Sequence, residues 1–137
     1  MISNEKIEGI LRDAIIHHAK LAGLRADQVQ LIITTENDTQ ATPIYKVLHD
    51  YIFKKVISFK EIYWGLMASM AESKSKEILA TGLKKMAAKF DALPSEIRIM
   101  VMAQESSASK IYYIVDVKKN NGEKSSNQMK LEQIIQN

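Results

Sequence analysis

The segment from Ile97 to Lys118 constrains the fold more than any other. Ile97, Ile99, Val101 and Ala103 alternate with Arg98, Met100, Met102 and Gln104. After a polar tip at Glu105–Ser109, Ile111, Tyr113, Val115 and Val117 alternate with Tyr112, Ile114, Asp116 and Lys118. Period two is strand spacing, because successive side chains of a strand point to opposite faces. Pairing Gln104 with Lys110 sets Met102 opposite Tyr112, Met100 opposite Ile114 and Arg98 opposite Asp116. An opposite-charge pair then falls into a cross-strand position, which supports the register independently of the apolar pattern. Both faces of this hairpin are apolar. One must pack on the rest of the chain. The other, Met100, Met102, Tyr112 and Ile114, needs further helices or another chain. Asn121-Gly122 reads as a type I′ turn, so a third strand is expected from Glu123, and Met129–Gln136 closes as strand or short helix.

Upstream the spacing is helical. Ser3 can cap a first helix with Ile7, Ile10, Leu11, Ala14, Ile15, His18, Leu21 and Ala22 on one face, ending at Gly23. Val29–Thr35 reads as a strand with Val29, Leu31 and Ile33 on one side and Gln30, Ile32 and Thr34 on the other. Thr42-Pro43 has the form of a helix start, with Ile44, Val47, Leu48, Tyr51, Ile52 and Val56 as the face of a second helix. Ser58 and Glu61 make a capping box, and Ile57 and Ile62 a hydrophobic staple, at the start of a third. Along that third helix Phe59, Ile62, Tyr63, Leu66, Met67 and Met70 share one side, whereas Leu79, Leu83, Met86 and Phe90 project to the opposite side. The helix must break near Ser73–Ser75 or send its second half, with Leu83 and Phe90, against another chain. The expected architecture is α+β: an N-terminal helix and strand, a central helical segment of two or three helices, and a C-terminal antiparallel β-meander of two or three strands. One domain over 1–137 is expected. No internal repeat is visible.

Composition narrows the function classes. There is no cysteine, which removes disulfides, thiolate metal sites and cysteine nucleophiles. No apolar run approaches the ~20 residues of a membrane span. The opening residues Met1–Lys6 lack the pattern of a secretory signal, so a cytoplasmic location, or a place in a particle assembled inside a cell, is expected. The net charge of +3 is local: eight lysines between Lys54 and Lys89 face three glutamates. A nucleic-acid contact would use Lys74, Lys84, Lys85 and Lys89 beside the aromatic-rich stretch 45–64. Only three arginines, interleaved Glu72 and Glu77, and no recognisable nucleic-acid motif argue against it. A small enzyme would have to draw on His18, His49, Asp50 or Glu105, none of which has a partner at catalytic spacing. The acidic loop Glu36-Asn37-Asp38-Thr39 lacks the glycines of a phosphate cradle and the ligand number of a calcium loop. No cofactor or metal is expected. The sequence reading is therefore a non-enzymatic interaction or assembly subunit that self-associates or joins a larger complex, such as a phage particle. Its expected contact residues are Met100, Met102, Tyr112, Ile114, Leu83 and Phe90.

Overall fold

Ser3 accepts the Lys6 N–H at 3.1 Å and starts helix α1 (Asn4–Ala22). Gly23, at φ 67°, ends it, and the Leu24 N–H returns to the Ala19 carbonyl. A left-handed residue there lets the chain satisfy two orphan helix carbonyls, and glycine adopts it without a Cβ clash. The computed structural model describes residues 3–63, 68–105 and 110–135. Trp64, Leu66, Met67, the 106–109 tip and Gln136, which the sequence patterns include, lie outside the described residues.

A 3-10 turn (Ala26–Gln28) leads into β1 (Val29–Thr34). Residues 44–56, expected as a helix, instead form a hairpin of β2 (Ile44–His49) and β3 (Ile52–Ile57). Their apolar spacing fits a helix, but β-branched and aromatic residues dominate the segment and suit a pleated surface better. Thr42-Pro43 precedes a strand and opens no helix. The Ser58–Glu61 pair also behaves differently from expectation. Glu61 Oε2 accepts the Ser58 N–H at 2.8 Å, but the motif caps a single 3-10 turn, Phe59–Glu61. Helix α2 (Ala68–Lys89) is a separate element that buries one face: Ala71, Ser75, Leu79, Gly82, Leu83, Met86 and Ala87. Of the first face read from the sequence, Phe59, Ile62 and Tyr63 thus precede α2 and Met70 is exposed on it, while α2 runs through Ser73–Ser75 without a break.

The C-terminal half follows the expected meander: β4 (Ile97–Ala103), β5 (Ile111–Lys118) and β6 (Lys124–Met129), closed by the short helix α3 (Leu131–Ile135). Met102 pairs with Tyr112, Met100 with Ile114 and Arg98 with Asp116, as the alternation required. Arg98 Nη2 lies 3.6 Å from Asp116 Oδ2, and both side chains are partly solvated. Such a pair contributes ~0.2–1 kcal/mol. The Asn121-Gly122 turn is not type I′. Gly122 alone has positive φ, 96°, and its N–H donates to the Lys119 carbonyl. This is a tight turn closed by a left-handed glycine, the common three-residue hairpin solution.

Among the described residues the result is three helices and one six-stranded antiparallel sheet, ordered β3-β2-β1-β4-β5-β6. That order is a palindrome. Each half is a helix, a 3-10 turn and a three-stranded meander, and the two halves join where β1 pairs with β4. The junctions match residue by residue. Asp91, at φ 51°, stands where Gly23 does, and the Ala92 N–H returns to Ala87 as Leu24 does to Ala19. Glu96 Oε1 accepts the Leu93 N–H as Gln28 Oε1 accepts that of Arg25. At the same spacing Ile32 corresponds to Met100, and these two residues pair directly across the β1–β4 ladder. A local two-fold axis therefore passes between them. The chain is an internal structural duplication although its sequence shows no repeat.

All three helices lie on one side of the sheet. Their apolar faces meet Leu31, Ile33, Val47, Ile99, Val101, Tyr113 and Val115 in the main core. The opposite sheet face holds a second, smaller cluster to which no described helix contributes.

Candidate interaction surface

The second face is built from the β2–β3 hairpin outward. The hairpin closes on two residues, Asp50 and Tyr51, with φ of 48° and 66°. Positive φ at both central positions is what a type I′ turn demands, and glycine or asparagine usually supplies it. Here non-glycine residues are held there by their neighbours. The Asp50 N–H donates to the Gln28 carbonyl at 2.7 Å, and the Tyr51 N–H to Gln30 Oε1 at 2.7 Å. Gln30 is 1% exposed, so its amide oxygen is a fixed anchor within the sheet. Tyr51 itself remains 61% exposed.

Strand register defines two rows of side chains across the face. One runs Phe53, Leu48, Gln30, Met102, Tyr112, and the other Val56, Lys46, Ile32, Met100, Ile114, Gln128. Ile32, Leu48, Met100 and Met102 are nearly inaccessible at the centre, with Tyr112 and Ile114 half-buried beside them. Burial pushes the Tyr112 phenol above its ordinary pKa, and the nearby Tyr51 phenol adds to the effect. Exposure rises towards β3, where Phe53 and Val56 are 55% and 56% exposed. An antiparallel sheet face without a covering layer is normally polar along each strand. This face, which no described helix covers, is apolar at its centre, and its accessible apolar surface is concentrated at the β3 margin.

Four of the six expected contact residues, Met100, Met102, Tyr112 and Ile114, come together here. Leu83 and Phe90 do not. Leu83 is fully buried in the main core, and Phe90 packs against that core, with Lys89 Nζ 5.9 Å from its ring centroid. Their spacing points outward only if residues 59–90 form one helix, whereas α2 is a separate element that turns Leu79, Leu83 and Met86 into the main core. Sequence reasoning missed Leu48, Phe53 and Val56 as members of this face. Their strand alternation is legible only once the turn at Asp50-Tyr51 is recognised.

The lysines of the nucleic-acid reading lie on α2, on the helical side of the sheet. Lys74, Lys84 and Lys89 are exposed and Lys85 is half-buried. The aromatic cluster next in sequence is structural. Phe59 stands 6.1 Å from Tyr45 and 6.3 Å from Tyr63, centroid to centroid, and Tyr45 and Phe59 are buried. Among the described residues the exposed aromatics, Tyr51 and Phe53, belong to the hairpin instead.

Of the titratable candidates, His18 is buried on α1 with Nε2 2.9 Å from the Glu61 carbonyl, so Nε2 carries the proton and donates. Burial lowers its pKa; the hydrogen bond to Glu61 opposes this. His49 lies on β2, Asp50 in the turn and Glu105 beyond β4. Among the described residues no three His, Asp or Glu side chains gather as metal ligands. The His18 pKa has a testable consequence. A buried, depressed histidine binds its proton more tightly in the unfolded chain, so acid favours unfolding. Stability should fall as pH drops below the ordinary histidine value of about 6.5 and level off below the folded-state pKa. His18→Gln, which keeps a donor near Nε2, should remove that part of the slope in denaturant unfolding followed across pH.

No described helix is long and apolar enough to cross a membrane. No protein-family model, curated protein or solved structure matches the chain.

Proposed function

We propose that the chain is a non-enzymatic protein–protein interaction or assembly subunit that meets its partner through the β3 side of the open sheet face. One observation carries this reading. Tyr51, Phe53 and Val56 stay more than half exposed while adjoining a buried apolar cluster that no described helix covers. Contiguous exposed apolar surface on a folded domain marks a contact site more often than a structural need. Methionines within the cluster suit it to adaptable packing.

The reading separates structural from contact residues by experiment. In Phe53→Ser/Val56→Ser the fold should lose no more than about 1 kcal/mol per site, the range of strand propensity. The double variant should also lose binding of an apolar fluorescent dye. A loss of several kcal/mol would make both residues structural and overturn the reading. So would a wild-type protein that binds no dye and stays at 15.5 kDa by light scattering at every concentration. Scattering also separates the two kinds of partner, since only a second copy raises the mass of the pure protein.

A further inference from the structure

We propose that β3 is a strand-addition site for an extended, acidic segment of a partner protein, which would lie beside Ile52–Ile57 and continue the sheet. The proposal rests on the interaction reading above and specifies its mode and chemistry. β3 is an edge strand, paired only with β2, and five of its six residues are exposed. An edge offers unpaired backbone N–H and C=O groups to any extended chain that can approach.

The duplication supplies an internal comparison. The counterpart of β3 is β6, the other edge, and there Lys124, Ser125, Ser126, Asn127 and Gln128 present a polar strand. The same architecture therefore tolerates a polar edge. On β3, by contrast, Ile52, Phe53 and Val56 are apolar and 55–63% exposed.

Charge decides between occupants. β3 carries Lys54 and Lys55, with Lys46 beside Phe53 (Nζ 5.9 Å from the ring centroid) and Lys60 just beyond the strand. The acidic groups nearby are Asp50 in the turn and Glu61, which lies 3.8 Å from Lys55. Two copies of β3 paired antiparallel in full overlap would set Lys54 against Lys55 twice over. Like charges directly opposite destabilise a strand pair. The ladder also shifts between Val47 and Leu48, leaving Lys54 as an extra bulged residue. A bulge hinders any added strand alike, whereas edge lysines specifically repel a second lysine-bearing copy. A segment alternating Asp or Glu with apolar residues meets the same lysines favourably and can cover Phe53 and Val56. The observations thus favour a different, acidic chain over a second copy.

The test uses the full chain, immobilised, panned with displayed random dodecapeptides in parallel with its Lys54→Glu/Lys55→Glu variant. Both lysines sit on an exposed strand, so matched thermal unfolding should show the variant folded. Retained peptides are expected to alternate acidic and β-branched residues. A synthetic copy should bind the variant more weakly by about tenfold or more, since the new contacts are like-charged. It should bind wild type less well as salt rises, and slow amide exchange in residues 52–57. Retention of no peptide, or of basic or proline-broken ones, would overturn the proposal. If an acidic peptide instead protected the amides around Tyr112 and Ile114 and left 52–57 unchanged, strand addition would fall and the interaction reading would stand. Equal binding to Phe53→Ser/Val56→Ser would remove both.

Discussion

Leu83→Ala should cost ~2–5 kcal/mol of folding stability without changing the protein's mass in solution. Leu83 is 0% exposed and sits on the buried face of α2 between Leu79 and Met86, against the main core. Truncating it removes the transfer energy of the lost methyl groups and leaves a cavity among neighbours that cannot all collapse. A small domain has only ~5–15 kcal/mol to lose. The variant should therefore shift markedly in a denaturant titration, with an unchanged m-value if the unfolded state is unaffected. Light scattering on the wild type and the variant provides the contrast. A variant that kept its stability but lost mass would return Leu83 to an intermolecular contact, as its sequence spacing suggests. The structure leaves no room for that outcome, because the side chain has no outward surface.

The second large effect lies where α2 meets α3. Gly82 is buried, and a Cβ placed on it would stand 3.2 Å from the Ile134 carbonyl oxygen, 3.2 Å from Ile135 Cγ2 and 3.3 Å from Ile134 Cγ2. Gly82→Ala brings two opposed terms. Alanine gains ~1 kcal/mol of helix propensity, and the close approach takes some of it back. The net change should be small. Gly82→Val adds two further methyl groups to the same gap and gains little propensity, so overpacking wins, at ~1–3 kcal/mol. The strain should be released by undocking α3. A helix of five residues cannot persist alone. It is held by burying Leu131, Ile134 and Ile135. Amide exchange should accordingly rise in 131–135 and stay low in β4 and β5. Full protection of α3 in Gly82→Val would show that the docking tolerates the bulk and that the tight approach has no energetic weight.

The open face is partly legible in the amino-acid sequence. Met100, Met102, Tyr112 and Ile114 stand out because the β4–β5 hairpin is apolar on both sides, and a hairpin's register is a local property. Phe53 and Val56 are hidden because their hairpin turns on Asp50-Tyr51, a pair without the glycine that announces such a turn. What stabilises the turn is distant in sequence: the Gln28 carbonyl and the Gln30 side-chain oxygen on β1. Leu83 and Phe90 are misplaced by their spacing for a related reason. Helical periodicity does not reveal that the Ser58–Glu61 cap serves one 3-10 turn and not the helix beyond it.

The sequence by itself determined what local chemistry can encode. Capping by Ser3 and Gly23 bounds α1, period-two alternation and the Arg98–Asp116 pair set β4 against β5, and Asn121-Gly122 turns the chain into β6. Tertiary structure decided the identity of residues 44–57, because their apolar spacing satisfies a helix and a hairpin alike and only β1 alongside selects the strand. It also decided the duplication. The two halves share hydrogen bonds made by backbone and by chemically different side chains, Gly23 with Asp91 and Gln28 with Glu96, so the likeness lives in geometry and not in residue identity. Finally, it decided which sheet face the described helices leave uncovered. Both faces are apolar in sequence, and only the placement of all three helices on one side leaves Ile32, Met100 and the β3 margin on the other.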